Sequence, residues 1–137
     1  MRVILDTNVL VAALMVADGP PHQLFEAFLN DRFTLLTSDT QIEEFSRVTR
    51  YPAIRSRIHP AQAGRLLNVV RSLSVLLEIL PPARVSRDPH DDYLFAMAKA
   101  GEADFLVTGD KGGVLALRMH GKTEIVTVRK MVTILKL

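Results

Sequence analysis

Val3-Ile4-Leu5-Asp6-Thr7-Asn8 begins with an apolar run that stops on a carboxylate. Three branched aliphatic residues in succession, without polar alternation, read as a strand buried on both faces, as in a parallel sheet covered by helices. Asp6 then falls at the carboxyl end of that strand, the edge at which open α/β sheets place their ligands. Asn8 is the expected cap of a helix over the apolar segment Val9 to Val16. One carboxylate at a strand end carries no function by itself, so the question passes to which other acids share that edge.

Downstream of this opening, strand-like and helical segments alternate. Asp18-Gly19-Pro20-Pro21 ends the first helix, and a second is expected from His22 to Asn30 with Leu24, Phe25 and Phe28 on one face. Phe33 to Leu36 is a strand candidate, after which Ser38 and Gln41 form a capping-box pattern opening a helix to Thr49. Tyr51-Pro52 closes it. His59-Pro60 starts a further helix whose apolar stripe is Leu66, Leu67, Val70 and Leu73. Val75 to Leu80 reads as a strand, Pro89 to Ala100 as a helix, Phe105 to Thr108 as a strand, Glu124 to Thr127 as a last strand and Arg129 to Leu135 as a terminal helix. This alternation predicts an α/β fold: a three-layer α/β/α sandwich with a mainly parallel central sheet, in one domain over residues 1–137.

Composition narrows the chemistry. The sequence contains no cysteine, which excludes disulfides and thiolate zinc sites. No apolar run approaches the roughly 20 residues of a membrane span, and no signal-peptide pattern follows Arg2, so a cytoplasmic location is expected. The net charge of +2 hides a strong segregation. From Phe45 to Leu77 there is no Asp or Glu, while Arg47, Arg50, Arg55, Arg57, Arg65 and Arg71 all occur. Such a strip suits phosphates or an acidic partner, against the plainer reading of a solvated helical surface.

Helical periodicity sorts the acids. Steps of three, four and seven from Asp91 reach Leu94, Phe95 and Ala98, so Asp91 is expected in the first turn of a buried face. The same steps from Asp92 drift to Lys99, and Asp88 before Pro89 is sufficiently explained as a cap. In the preceding acidic helix, Glu43 is expected to pair with Arg47 at the surface, whereas Glu44 lies at the edge of the apolar stripe beside Phe45. Asp110 follows an apolar strand, as Asp6 does, with Thr108 and Gly109 between. If the strands are parallel, Asp6, Glu44, Asp91 and Asp110 meet at one edge. Carboxylates so clustered repel, and one or more stays protonated unless a cation sits among them. Oxygen-only ligands, with His22, His59, His90 and His120 scattered, favour Mg²⁺ or Mn²⁺ over zinc. A basic strip beside such a pocket describes a metal-dependent nuclease.

With these pieces in place the chain resembles the PIN-domain family over nearly its whole length. The matching segments are Ile4-Leu5-Asp6-Thr7-Asn8, Glu44 within Ile42-Glu43-Glu44-Phe45, Asp91 within Asp88-Pro89-His90-Asp91-Asp92, and Val107-Thr108-Gly109-Asp110. The resemblance is greatest to the bacterial toxin components of toxin–antitoxin systems, akin to VapC. It implies endonucleolytic cleavage of RNA with Mg²⁺ or Mn²⁺ held by Asp6, Glu44, Asp91 and Asp110, and Asn8 and Thr108 as supporting polar groups. It also implies a homodimer and inhibition by a small antitoxin protein. From the basic strip, Arg47, Arg50 and Arg55 are the expected RNA contacts. Lys111-Gly112-Gly113-Val114 departs from the polar residue and leucine pair that commonly follow the last acid in the family. Two other readings compete. One is an RNA- or partner-binding module with little or no catalysis. The other is phosphoryl transfer through Asp6, although the dehalogenase-like pattern has a second Asp where this chain has Asn8.

Overall fold

The computed structural model describes residues 1–78, 80–82, 91–109 and 118–137. Its centre is β1 (Arg2–Leu5), in which Val3, Ile4 and Leu5 are at most 1% exposed, as an unbroken aliphatic run in a covered sheet requires. β1 pairs in parallel with β2 (Thr34–Ser38) on one side and β4 (Phe105–Val107) on the other. Beyond β2 lies β3 (Val75–Leu77), and beyond β4 lies β6 (Thr123–Val126), both parallel to their neighbours. The strand β5 (Met119–His120) runs antiparallel to β6, completing the order β3-β2-β1-β4-β6-β5.

Helices cover both faces. The helices are α1 (Thr7–Met15), α2 (Pro20–Leu29), α3 (Asp39–Val48), α4 (Pro52–Arg55), α5 (Pro60–Leu73), α6 (Asp92–Ala100) and α7 (Val128–Leu135). Alternate residues of β1 point to opposite sides. Val3 and Leu5 join a core with Leu10 of α1, Leu24 of α2, Phe45 of α3, Leu66 of α5 and Met131 of α7. Ile4 joins Leu94, Phe95 and Met97 of α6 on the other side. The fold is the α/β sandwich with a mainly parallel sheet that the alternation predicts. Gly101 closes α6 tightly against this second core, for a Cβ there would stand 2.5 Å from the buried Leu36 Cδ1 and 3.2 Å from the Met97 carbonyl.

Several boundaries shift for local reasons. α1 starts at Thr7, because the carbonyl of Asp6 already accepts from Val9 at 2.9 Å and Leu10 at 3.2 Å. Asp6 is therefore the cap, and Asn8 is an exposed residue of the first turn, contrary to the capping role expected for it. The capping box at Ser38 forms only by half. Ser38 Oγ accepts from the Gln41 amide at 3.2 Å, but the Gln41 side chain donates to the Leu5 carbonyl at 2.7 Å instead of turning back. α5 buries Ala63, Leu66 and Val70, while Leu73 at its end is 59% exposed and falls off the predicted stripe. His59 caps α5, accepting from the Ala61 amide at 3.1 Å, as Gln62 accepts from the His59 amide at 3.0 Å. The expected start of a helix at Pro89 and the cap at Asp88 lie outside the described residues. β5 was not predicted. It forms because Gly121, at φ 58°, and Lys122 make a two-residue turn between His120 and its partner Thr123.

Candidate active site

The carboxyl ends of β1 and β4 lie side by side, with Leu5 opposite Val107. The Asp6 amide donates to the Val107 carbonyl at 2.9 Å, fixing the backbone where the strand turns into α1. The Asp6 side chain takes no part in capping; its Oδ2 accepts the Thr108 hydroxyl at 2.8 Å. Asp6 is 5% exposed and Thr108 wholly buried, so this is a charge-assisted bond sheltered from water. Sequence analysis places both residues here, and the structure brings them into contact.

Glu44 arrives from α3 through a buried polar anchor. Gln41 is held between the Thr37 hydroxyl, which donates to its Oε1 at 2.8 Å, and the Leu5 carbonyl, tying the first turn of α3 to the end of β1. One turn later Glu44 stands beside Thr7, whose hydroxyl donates to Glu44 Oε2 at 3.4 Å. The Tyr93 hydroxyl, from α6, is 2.9 Å from the Thr7 hydroxyl. Burial, then hydrogen bonding to Glu44 and the nearby charges of Glu44 and Asp6, push the Tyr93 pKa well above the ordinary phenol value, with Thr7 opposing in part. Tyr93 is thus a neutral phenol among carboxylates. Sequence reasoning missed both Thr7 and Tyr93. The signals were a hydroxyl immediately after Asp6 and a phenol in the first turn of an otherwise apolar helix.

The remaining expected residues divide. Arg47 pairs with Glu44 at 3.7 Å, not with Glu43 as its spacing suggested, so the basic strip begins at the acidic cluster itself. Arg50 and Arg55 line a neighbouring pocket. Asp91 is the backbone cap of α6, without a side-chain capping bond, and is partly buried, as is Asp92. Burial therefore does not separate these two acids as the helical-face argument did. Asp110 and the Lys111-Gly112-Gly113-Val114 segment lie outside the described residues. Among the described residues no three acidic or histidine side chains are grouped closely enough to hold a metal ion by themselves. Described histidines do structural work: His59 caps α5, His120 packs on Phe95 with ring centroids 5.0 Å apart, and His22 pairs with Glu26 at 2.9 Å. Among the described residues no helix is long and apolar enough to cross a membrane.

In comparison with known proteins, residues 2–112 match the PIN domain. The chain belongs to the PIN-domain family. It is 26% identical over 125 residues to an uncharacterized protein, MJ1680, of Methanocaldococcus jannaschii, covering 89% of this chain and 78% of that protein. Its fold is similar to the crystal structure of PAE2754 from Pyrobaculum aerophilum, with a TM-score of 0.67 at 23% identity, covering 99% of this chain and 90% of that one. PIN domains are typically nucleases, which places this chain in a nucleic-acid-binding, hydrolase-type family.

Proposed function

We propose that this PIN-domain protein is a metal-dependent endoribonuclease, the toxin of a type II toxin–antitoxin pair. The observation that carries the reading is the placement of Asp6 and Glu44 at the carboxyl edge of the parallel sheet, each held by a threonine hydroxyl. The donor set fits a hard divalent cation, because the cluster offers carboxylate and hydroxyl oxygens and no sulfur. Asp6, Glu44, Asp91 and Asp110 would hold Mg²⁺ or Mn²⁺. Bound there, the cation supplies Lewis acidity, activating water and neutralising charge that develops on the phosphodiester.

The chain's own residues do the positioning. Thr108 orients the Asp6 carboxylate, and Thr7 and Tyr93 orient Glu44, which also pairs with the exposed Arg47. Asn8, exposed in the first turn of α1, would contact substrate at the rim. Arg47, Arg50 and Arg55 would bind the flanking phosphates. A homodimer and a small antitoxin partner encoded nearby complete the proposal. Purified protein incubated with mixed RNA should cleave in Mg²⁺ or Mn²⁺ and stop in EDTA, and Asp6→Asn should be inactive. Cleavage that survives EDTA or the substitution would sink the metal-nuclease reading; binding without cleavage in any metal would favour a binding module.

A further inference from the structure

The helix that delivers Glu44 also forms one wall of a second concavity. It has a volume of about 310 Å³ and lies between α3, α4 and α5. Ser46 and Thr49, within two helical turns of Glu44, belong to its wall, together with Arg50 and Arg55. Its chemistry is two-sided. Ile58, which is 2% exposed, and the partly buried Leu67 give it an apolar floor, while both arginines are exposed. Among the described residues no carboxylate lines it. An apolar floor flanked by planar cations suits a nucleotide: the base takes the floor and an arginine plane, and its phosphates take the charge. The size stands at the low end of the roughly 300–1,000 Å³ of small-ligand sites, which suits one nucleotide.

Gly64 is an independent pointer to the same place. It is the fifth residue of the 14-residue helix α5, a position where glycine is less stable than alanine. Close packing is the usual reason for such a glycine. At Gly64 a Cβ would meet nothing within 4 Å, and the residue lines the pocket. Packing within the fold does not require glycine here, and the open space beside it belongs to the pocket.

We propose that this pocket receives one base of the bound RNA, a short way along the strand from the acidic site, with Arg50 and Arg55 flanking it and Gly64 keeping it open, so that it selects where the strand is cut. The proposal rests on the ribonuclease reading. Gly64→Ala and Gly64→Leu test it, read by fluorescence anisotropy on short mixed-sequence single-stranded RNA in EDTA and by mapping cleavage sites in Mg²⁺. Neither variant should melt below wild type. Gly64→Leu should lose RNA affinity by at least about 5-fold, the low end of what one stacked base contributes, with Gly64→Ala in between. Its cleavage-site distribution should change. Arg55→Lys, which keeps the charge but not the plane, should lose affinity with an unchanged salt slope. If wild type binds RNA and Gly64→Leu binds and cuts as wild type does, the pocket proposal fails and the ribonuclease reading stands. A wild type that binds no RNA removes both. A Gly64→Leu protein with altered sedimentation but intact RNA affinity would assign the pocket to a protein contact, overturning the proposal.

Discussion

Replacing Thr108 by valine keeps the shape of a fully buried side chain and removes the hydroxyl that donates to Asp6 Oδ2 at 2.8 Å. With Asp6 only 5% exposed, water cannot readily substitute for the lost donor. A hydrogen bond to a charged group contributes about 1.5–3 kcal/mol net, against about 0.5–1.5 kcal/mol between neutral groups. Volume barely changes, so no cavity term enters. Thr108→Val should therefore cost about 1.5–3 kcal/mol in the wild-type background. In the Asp6→Asn background the acceptor is neutral, and the same change should cost about 0.5–1.5 kcal/mol. The cycle thus has a coupling energy of about 1–1.5 kcal/mol. Urea unfolding of the four proteins in EDTA measures it, and any effect of Asp6→Asn alone cancels. Coupling below about 0.3 kcal/mol, the level at which independent sites add, would refute the charged hydrogen bond. A Mn²⁺ titration addresses the positioning role separately. Groups that orient metal ligands are worth about 10–100-fold in affinity, so Thr108→Val should weaken Mn²⁺ binding by that order. Equal Mn²⁺ affinity in wild type and variant would show that Thr108 orients nothing.

Three further outcomes follow from particular contacts. Gly101→Ala should lose about 1–3 kcal/mol in urea unfolding, because the new methyl meets the buried Leu36 side chain under α6. Tyr93, held protonated above its ordinary value of 10.0, stabilises the fold below that pH, and the unfolded chain gains by ionising as pH rises past it. Wild type should thus lose melting temperature more steeply than Tyr93→Phe above about pH 10. Ultraviolet absorbance should show Tyr93 ionising only as the protein unfolds. Replacing Arg47, Arg50 and Arg55 together by Ala should reduce the salt slope of single-stranded RNA binding by about 2, at roughly 0.7 per phosphate contact. An unchanged slope would mean that these arginines are merely solvated.

The fold was legible wherever burial imposes a pattern. Val3 to Leu5 lacks alternation because both faces of β1 are covered, one by α6 and the other by helices including α1 and α2. The pattern weakened at the margins of the sheet. β3 is a short edge strand whose Val75 and Leu76 are 38% and 42% exposed, so hydrophobicity there does not report a covered face. β5 has two residues, too few to carry any period, and its only sign was the turn chemistry of Gly121.

The site was legible to the extent that it follows from the ends of parallel strands. Asp6 and Thr108 are adjacent because β1 and β4 are paired, and each directly follows its strand. Contacts between helices were not legible, because periodicity gives the angle of a residue around its own helix and nothing about a neighbour's rotation. Arg47 is four residues from Glu43 and three from Glu44, and both spacings permit a pair. The anchor from Gln41 to the Leu5 carbonyl turns Glu44 toward Thr7, and Arg47 follows it. That pair joins the acidic cluster to the basic strip, which in the sequence look like separate features. With the Arg47 side chain 58% exposed, the pair contributes at most about 1 kcal/mol, so separating the two charges costs little. Arg47 is then a poor structural tie and a good candidate for exchange onto a phosphate. The arginine salt-slope measurement distinguishes those two roles.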